Sequence, residues 1–374
     1  MPSKPSSGVS VSDVCILRLS ALGDVCNLVP SVRALQQARP DIKITWVIGQ
    51  AEYNLLAGLE GVTFRVYDKK TGIAGMRALR RQLLEERQGR PFEVLLHMQA
   101  ALRASILSRF IPAKRRIGFD KARAKDWQGF FVSEHLLPHP NSHVGEGFLD
   151  FVRYLGAEPQ QRQWSIPLPS EAEKEAAAWV SGKQPYLLLS PCSSNRARNW
   201  RNWSAEGYAQ MIDHAWQAYG LNTVITGGNS PMEQQMVADI QALCAAPVIN
   251  AVGKTSLKAL LVLIRDAQLV VAPDSGPIHM AVAMGTPPLG LYVTSNPLRT
   301  GPWLPAEQLQ SWIVNCYPAA VRQFLKREPE QVGWGQRVRD PAAIDLIRVE
   351  EVIMRLDHIM SAARATTAFE ELKQ

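Results

Sequence analysis

Short apolar runs alternate with amphipathic stretches along almost the whole chain. In the first half, the runs with the length and composition of buried strands are residues 14–19, 42–48, 62–67 and 92–97. Helical periodicity lies between or after them, at residues 28–38, 76–87 and 143–155. Strands that alternate with helices are typical of parallel βαβ units. The pattern therefore predicts a doubly wound α/β domain in the first half of the chain.

A break in this alternation separates the two halves. Residues 157–170 are rich in Pro and Gln and lack a helical period, and Ser170 with Glu173 forms a capping-box pattern at the start of a new helix. Strand-like runs then recur at residues 186–190, 223–226, 248–250, 269–272 and 289–293, with helical stretches at residues 205–219, 232–243, 257–266 and 278–284. The repeated architecture predicts two Rossmann-like domains that face a central cleft.

The predicted domain limits follow from these patterns. We expect a disordered tail over residues 1–13, an N-terminal domain over 14–165 and a C-terminal domain over 171–340. Residues 341–374 contain a further amphipathic stretch with helical register. Because ligands of doubly wound folds bind at the carboxyl ends of the strands, the residues that carry the chemistry are expected directly after strands.

The net charge of the chain is +7, and its distribution is uneven. Residues 61–130 hold 16 Lys and Arg against 6 Asp and Glu, a net charge of +10, so the remainder is slightly acidic. A basic region of this size favours an anionic partner: a nucleic acid, an anionic lipid surface or a phosphorylated sugar. A solvated face that only promotes solubility is the simpler alternative.

Composition also restricts the cellular setting. No apolar run reaches the roughly 20 residues that span a bilayer, and the N-terminal segment lacks the apolar core of a signal peptide. The five cysteines are scattered, without a C-x-x-C pair. These features predict a protein of the reducing cytoplasm, without a disulfide framework or a zinc site.

The first strand-to-helix turn carries a single carboxylate. The turn Ser20-Ala21-Leu22-Gly23-Asp24 follows the strand at 14–19, and Gly23 is expected to allow the backbone to turn tightly. Asp24 is either a helix cap or a catalytic group, and the local sequence does not decide between them.

The motif after the strand at 269–272 has the features of a diphosphate site. Asp-Ser-Gly-Pro at 274–277 precedes a helix, and Pro is favoured in a first helical turn. Backbone N–H groups at the positive end of that helix suit a diphosphate, with Asp274 and His279 placed to bond sugar hydroxyls or a phosphate. In the structural alternative, Asp274 only caps the helix and His279 is a partly buried side chain with satisfied hydrogen bonds.

Two further loops follow strands in the C-terminal half. The candidate phosphate ligands after the strand at 186–190 are Ser193, Ser194, Arg198 and Arg201. Hydroxyl and guanidinium groups suit phosphate oxygens, because one Arg holds two oxygens at once. Glu233 lies in the first turn of the helix after a Gly-Gly pair. It either accepts hydrogen bonds from ribose hydroxyls or is an acidic residue favoured there by the helix dipole.

Five segments together resemble glycosyltransferase family 9, the lipopolysaccharide heptosyltransferases: ILRLSALGDVCNLVPSVRALQQARPDIKITWVI, RIGFD, RNWSAEGYAQM, VGKTSL and DSGPIHMAVAMGTP. The likeness extends from about residue 14 to residue 300. The resemblance implies a GT-B fold of two Rossmann-like domains, with the C-terminal helix packed back on the first. It also implies an inverting, metal-independent transfer, without a cofactor, from ADP-heptose to the inner core on a Kdo-bearing lipid A.

The family motifs correspond to individual residues of this chain. The turn that holds the proposed general base of the family corresponds to Ser20, Gly23 and Asp24. The donor motif corresponds to Asp274, Ser275, Gly276, Pro277 and His279. The resemblance therefore implies that Asp24 is the base and that Ser20 and Gly23 border the acceptor.

The chain departs from the family pattern near the donor. Arg201 stands where the family has Lys, and Ser204 stands where it has Pro. Either Arg201 or Arg198 is therefore expected to hold the diphosphate, and Glu233 is a further donor-binding candidate.

An acceptor that carries carboxylates and phosphates explains a basic N-terminal domain. The candidates for that contact are Arg103, Arg115, Arg116, Lys121, Arg123 and His143. Domain closure is expected to bring Asp24 towards the donor and to exclude water. The enzyme is expected in the cytoplasm, peripheral at the cytoplasmic face of the inner membrane, where the acceptor is anchored.

Two other functions stay open on the sequence alone. One is a GT-B glycosyltransferase or epimerase that uses another sugar nucleotide, because the donor motif indicates a diphosphate more clearly than a sugar. The other is a nucleic-acid-binding protein without catalysis. Such a protein is expected to interleave aromatic residues with its basic ones, and residues 61–125 contain five.

Overall fold

Two parallel β-sheets organise the chain, one in each of two units that divide between Pro167 and Leu168. The structure is a computed structural model, in which side chains are described through Ala362. It describes residues 11–158, 161–180, 184–193 and 200–371. Each sheet has six strands, and all of their pairings are parallel. The doubly wound α/β architecture predicted from the alternation is thus confirmed.

The first unit has a sheet in the order β3-β2-β1-β4-β5-β6. Its strands are β1 (Asp13–Leu17), β2 (Lys43–Ile48), β3 (Val62–Val66), β4 (Phe92–His97), β5 (Ala113–Gly118) and β6 (Glu134–His135). Its helices are α1 (Leu22–Ala38), α2 (Gln50–Leu56), α3 (Gly72–Glu86), α4 (Leu102–Phe110) and α5 (Val144–Tyr154), with short 3-10 turns at Lys69–Thr71 and Gln128–Phe131. Helices α3 and α4 share one hydrophobic core with β1 and β4, and α1 packs against α5.

The second unit has the order β12-β11-β10-β7-β8-β9. Its strands are β7 (Tyr186–Leu189), β8 (Asn222–Ile225), β9 (Val248–Asn250), β10 (Leu269–Pro273), β11 (Pro288–Tyr292) and β12 (Ile313–Asn315). Its helices are α6 (Ser170–Ala177), α7 (Ala205–Tyr219), α8 (Pro231–Leu243), α9 (Leu257–Asp266), α10 (Gly276–Met284), α11 (Pro297–Thr300), α12 (Ala306–Trp312), α13 (Tyr317–Ala320) and α14 (Val349–Glu371). A π-helical turn covers Val321–Leu325, and 3-10 turns cover Pro329–Gln331 and Pro341–Leu346.

Both sheets have the same topology. In each unit the first strand pairs with the second on one side and with the fourth on the other, so the winding reverses between β1 and β4 and again between β7 and β10. In doubly wound folds, ligands bind at the carboxyl ends of the strands next to this reversal. The topology therefore selects the loops after these four strands as the places to look for chemistry.

Some elements are not indicated by the hydrophobic pattern. Strand β5 has the sequence AKRRIG, in which three consecutive basic residues obscure the alternation of a strand. The inner face of α4 buries Ala104, Ser105 and Ser108 beside Leu107, which gives little apolar contrast. Strand β1 ends at Leu17, two residues before the predicted end, so the loop before α1 begins at Arg18.

The ends of the chain differ in part from their predicted description. Residues 1–10 of the predicted tail lie outside the described residues, whereas Val11 is buried and β1 begins at Asp13. At the other end, α14 buries Val352 and Leu356 in the core of the second unit. The packing of residues 341–374 against the N-terminal domain stays a prediction. Within the described ranges, no helix is both long enough and apolar enough to cross a bilayer.

Candidate active site

The carboxylate of Asp24 lies at the start of α1, directly after the loop that follows β1. Asp24 is the third residue of the helix, and its Oδ2 accepts a hydrogen bond from the backbone N–H of Ala21 at 3.1 Å. The same oxygen forms an ion pair with the guanidinium of Arg18, and 32% of the Asp24 side chain is exposed. Asp24 therefore caps the helix and is also accessible. Gly23 lies within the helix without a positive φ, so the turn does not depend on its conformational freedom.

Arg18 joins Asp24 to the ends of the two central strands. Its Nη1 donates to the backbone carbonyl of Met98, the residue after β4, at 2.7 Å. Its guanidinium carbon lies 5.2 Å from the centre of the Phe148 ring on α5. A cation over an aromatic face is stabilised by the ring quadrupole. Only 11% of the Arg18 side chain is exposed. Through these contacts Arg18 holds Asp24 at the point where the sheet reverses its winding.

Ser20 is positioned from the end of β4. The side chain of Gln99 accepts a hydrogen bond from the backbone N–H of Leu19 at 2.7 Å, and its Nε2 donates to Ser20 Oγ at 3.4 Å. Two side chains, those of Gln99 and Arg18, thus attach the loop before Asp24 to the loop after β4. Gln99 was not predicted from the sequence, since a single Gln after a strand carries no specific signal.

Two buried titratable groups, which no sequence pattern indicated, lie around the ion pair between Arg18 and Asp24. Glu52 lies in the first turn of α2, where burial raises the pKa of its carboxyl above the usual value. A Cβ at Gly49 would lie 2.5 Å from Glu52 Oε2 and 2.4 Å from the carbonyl oxygen of Leu19, so only Gly fits there. Burial lowers the pKa of His97 to about 3, with a smaller effect of the Arg18 charge. His97 is therefore neutral at physiological pH.

Two of the predicted acceptor-binding arginines are held by contacts around β5. Arg115 makes two hydrogen bonds of 2.6 Å to the carboxylate of Glu134, and this pairing raises its pKa. The guanidinium of Arg116 donates to the carbonyls of Ser108, Ile111 and Ala113 at 2.9–3.2 Å, and so caps the C-terminal end of α4. Both guanidinium groups thus donate hydrogen bonds within the fold. Their contact with an acceptor stays a prediction.

Arg123 is engaged in a similar way. It forms ion pairs with Asp120 and with Asp150 on α5, and its Nη2 donates to the carbonyl of Leu137 at 3.1 Å. These contacts hold the long loop between β5 and α5. A direct role of Arg123 in acceptor binding is untested.

The other three predicted acceptor-binding residues have different surroundings. Arg103, in the first turn of α4, and Lys121 are exposed, and neither side chain makes a hydrogen bond or ion pair with the residues that the structure describes. His143 is the N-cap of α5, where its Nδ1 accepts a hydrogen bond from the backbone N–H of Gly145 at 3.0 Å. Arg103 and Lys121 are thus the candidates best placed to contact an anion.

In the second unit, Asp274 lies directly after β10. Its Oδ2 accepts a hydrogen bond from the hydroxyl of Ser295 at 2.6 Å. Arg201 donates to its backbone carbonyl at 2.8 Å and lies 3.5 Å from its Oδ2. Nearby, burial raises the pKa of Tyr292 well above its usual value, with a smaller effect of the Asp274 charge. Asp274 therefore belongs to a buried polar network that fixes the start of α10.

The N-terminus of α10 presents the other residues of the predicted donor motif. Ser275 is the N-cap in extended conformation, and Gly276 and Pro277 begin the helix. The hydroxyl of Ser275 is buried and has no hydrogen-bond partner among the described residues. Buried hydroxyls are usually bonded, so this one is suited to a ligand at the helix N-terminus. His279 is buried in the second turn of the same helix.

The loop after β7 is described only in part. Ser193 is buried, and its backbone N–H and its hydroxyl donate to Asn202 Oδ1 at 2.8 and 3.2 Å. Ser194 and Arg198 lie outside the described residues. Of the two arginines predicted to hold the diphosphate, Arg201 is thus the one whose position is described. Asn202, which positions Ser193, was not identified from the sequence.

Glu233 has the structural role that the sequence left open. It is the third residue of α8 and forms a capping box with Ser230. Its Oε1 also accepts a hydrogen bond from the backbone N–H of Gly228 at 2.6 Å. The carboxylate thus shapes the loop after β8, and a contact with a ribose stays a prediction.

In the described part of the chain, no group of three or more His, Cys, Asp and Glu side chains is arranged to hold a metal ion.

Comparison with known proteins identifies relatives over most of the chain. The family profile described as glycosyltransferase family 9 (heptosyltransferase) matches residues 76–328. The chain is 36% identical to the lipopolysaccharide core heptosyltransferase OpsX of Haemophilus influenzae over 340 residues. This alignment covers 91% of this chain and 94% of the relative. These values are sufficient to show family membership.

Solved structures have the same fold. A glycosyl transferase family 9 protein from Veillonella parvula superposes with a TM-score of 0.75 at 21% identity, over 95% of this chain and 99% of that one. The Escherichia coli heptosyltransferase WaaC, solved with ADP-2-deoxy-2-fluoro heptose, superposes with a TM-score of 0.62 at 21% identity, over 84% of this chain and 99% of that one. The fold implied by the sequence resemblance, GT-B, is thereby confirmed.

Proposed function

The chain belongs to glycosyltransferase family 9, the heptosyltransferases, and from this premise we propose that ADP-heptose is its donor and the inner core on lipid A its acceptor. It is a glycosyltransferase of lipopolysaccharide core biosynthesis. The observation that best supports the proposed transfer from ADP-heptose is the placement of Asp24. An accessible carboxylate lies at the winding reversal of the first sheet, and the donor motif begins at the equivalent reversal of the second.

Asp24 acts as the general base in an inverting transfer. An acceptor hydroxyl attacks the anomeric carbon of the heptose, the bond from that carbon to the diphosphate oxygen breaks, and the hydroxyl proton passes to a carboxylate oxygen of Asp24. General base catalysis of this kind contributes roughly 10²- to 10⁴-fold in rate. Arg18 and the backbone N–H of Ala21 fix the orientation of the carboxylate, so no rearrangement is needed when the acceptor binds.

The start of α10 and Arg201 receive the diphosphate. The backbone N–H groups at a helix N-terminus carry partial positive charge and bind phosphate oxygens. The hydroxyl of Ser275, which has no partner among the described residues, supplies a further donor, and the charge of Arg201 lies beside Asp274 at the same edge. These groups stabilise the negative charge that develops on the leaving ADP, which supports a transfer without a metal ion.

The acceptor is anionic and carried by a lipid. The exposed cations Arg103 and Lys121 lie in the first unit, whose basic region suits the carboxylates and phosphates of an inner core. The enzyme accordingly works in the cytoplasm, at the cytoplasmic face of the inner membrane.

Transfer from ADP-heptose to a Kdo-bearing lipid A tests this function. We expect Asp24→Asn and Asp24→Ala to lower turnover by roughly 10²-fold or more, with ADP binding retained. Asp41→Asn is the matched control, because Asp41 is an exposed carboxylate of the same unit that pairs with Arg39. Full turnover in both Asp24 variants would remove Asp24 from the role of base.

The donor and the stereochemistry need separate measurements. Fluorescence titration with ADP, UDP and GDP sugars distinguishes this reaction from that of a GT-B enzyme with another sugar nucleotide, and a preference for UDP or GDP would contradict the proposed donor. The anomeric configuration of the product, measured by nuclear magnetic resonance, tests inversion. Unchanged rates in the presence of a chelator are expected for a metal-independent transfer.

A further inference from the structure

The outer faces of α3 and α4 form a basic and aliphatic surface that the proposed chemistry does not use. We call it the α3–α4 surface, and its principal residues are Ile73, Arg77, Arg80, Arg81, Ile106 and Arg109. The α3 members recur at helical spacing, on the exposed face beside the buried residues Met76, Leu79 and Leu83. The two helices lie side by side over the same core, so their exposed faces are continuous.

The arginines of this surface are not held in ion pairs by the residues that the structure describes. Within the described part of the chain, the side chains of Arg77, Arg80, Arg81 and Arg109 make no hydrogen bond and no ion pair. Burial lowers the pKa of Arg116, and the charges of Arg109 and Arg80 lower it further, so both of these cations are close enough to repel Arg116. Elsewhere in this unit, Arg18, Arg115 and Arg123 each have a carboxylate partner. An anion from outside the chain would relieve the repulsion.

A cavity of about 460 Å³ opens at this surface, lined by Arg77, Arg80, Arg81, Leu84, Glu85 and Phe110. Three guanidiniums at its wall suit phosphate oxygens, whereas Leu84 and Phe110 give it an apolar side. This combination matches a phosphate group attached to an apolar body, as in a phospholipid headgroup.

Exposed aliphatic side chains extend the surface towards the start of both helices. Ile73 is 59% exposed, Leu102 is 44% exposed and Ile106 is 37% exposed. Since helices of a parallel sheet begin at the carboxyl ends of the strands, Ile73 and Leu102 lie towards the edge that carries Asp24. Aliphatic and basic residues together are typical of surfaces that lie in a bilayer interface, whereas single-stranded nucleic acids require stacking aromatic rings.

We infer that the α3–α4 surface docks the enzyme on an anionic lipid bilayer. The arginines contact lipid phosphates, and Ile73 and Ile106 enter the bilayer interface. This inference rests on the proposed function for its purpose, which is to bring a lipid-anchored acceptor to the edge that carries Asp24. Its physical basis is the unpaired charge and the exposed aliphatic area.

Vesicle flotation with the full-length protein tests the inference. The vesicles contain phosphatidylglycerol and phosphatidylcholine, or phosphatidylcholine alone. We expect binding to the anionic vesicles only, and the triple variant Arg77→Glu, Arg80→Glu, Arg81→Glu lowers the partition coefficient by about tenfold or more. The variant Ile73→Ser, Ile106→Ser lowers it by several-fold at unchanged net charge.

A matched control separates this surface from overall charge. Arg327→Glu, Arg339→Glu, Arg348→Glu makes the same charge change at exposed arginines of the second unit, and it is expected to bind anionic vesicles nearly as well as the unmodified chain. An equal loss in the control overturns the inference. Unchanged vesicle binding in both α3–α4 variants also overturns the inference. Circular dichroism and thermal unfolding report whether each variant is folded.

Two further arms identify the anion. Inorganic phosphate in excess is expected to compete weakly; complete competition together with unchanged binding of the Ile variant would assign the cavity to free phosphate and overturn the inference. A short DNA that binds the unmodified chain more tightly than the vesicles do would also overturn it. Transfer to an acceptor freed of its acyl chains is expected to be equal in the arginine variant and the unmodified chain, so failure of docking and failure of the transfer function are distinguished.

Discussion

The guanidinium of Arg18 pairs with the carboxylate of Asp24 while its Nη1 donates to the carbonyl of Met98 at 2.7 Å. One side chain thereby connects the cap of α1 to the ends of β1 and β4. The consequence is a carboxylate with a fixed direction at the reversal point of the sheet. A base held in this way pays no conformational entropy when the acceptor arrives.

Arg18 is therefore expected to act as a positioning residue. Arg18→Met removes both contacts, and we expect kcat to fall by roughly 10- to 100-fold while the affinity for ADP is unchanged. Arg18→Lys keeps a cation beside Asp24 and is expected to recover part of the loss. Steady-state kinetics with both substrates measure this. A change in the affinity for ADP alone, with normal kcat, would contradict the assignment.

Ser275 and Ser295 provide a matched pair of serines around the donor motif. Ser275→Ala removes a buried hydroxyl that has no partner among the described residues, so we expect weaker ADP-heptose binding without loss of unfolding free energy. Ser295→Ala removes the 2.6 Å hydrogen bond to Asp274 and is expected to cost about 1–3 kcal/mol of stability. Calorimetric titration and urea unfolding separate the two effects. A stability loss in Ser275→Ala with normal binding would exclude the ligand role.

Arg103 and Arg115 separate acceptor binding from stability. Arg103 is exposed and unpaired within the described residues, so we expect Arg103→Ala to raise the acceptor KM by several-fold at unchanged stability. Arg115 pairs with Glu134, and Arg115→Ala is expected to lower the free energy of unfolding by about 1 kcal/mol. Kinetics against acceptor concentration and urea denaturation measure the two outcomes. Equal KM effects in both variants, with equal stability, would show that Arg115 also binds the acceptor.

The buried His97 makes the stability of the first unit sensitive to acid. Its pKa is about 3 in the folded chain and about 6.5 when unfolded, so below pH 6.5 the unfolded chain binds one more proton. Stability is therefore lost as the pH falls from 6.5 towards 3, by at most about 1.4 kcal/mol per pH unit from this group. His97→Asn is expected to show a shallower loss between pH 7 and pH 5. Identical pH slopes in urea unfolding would contradict this.

Sequence patterns predicted most of the fold because hydrophobic periodicity is a local property. The strands at the centre of each sheet are continuous apolar runs, and nearly all were placed within two residues. Strand β5 and helix α4 were missed for a shared reason. The alternation of β5 is hidden by Lys114, Arg115 and Arg116, and the buried face of α4 consists largely of Ala and Ser.

The residues of the candidate site likewise divide into those that the local sequence pattern indicates and those that it does not. Asp24 and the motif at 274–277 were found because each follows an apolar strand and precedes a helix, which is visible in the sequence. Glu52, His97 and Gln99 were missed, since each reaches the site from another strand or helix. Only the folded sheet brings Gln99 within 2.7 Å of the backbone of Leu19.

The two doubly wound units, and the turns that present Asp24 and Ser275, follow from the local sequence pattern. Which charged side chains are available to a ligand depends on the packing of the folded chain. Arg115, Arg116 and Arg123 are spent on Glu134, on the end of α4 and on Asp150, whereas Arg77, Arg80 and Arg103 have no such partner within the described residues. The donors of an arginine bind whichever acceptors the fold brings within hydrogen-bond reach, and those acceptors are often distant in the sequence.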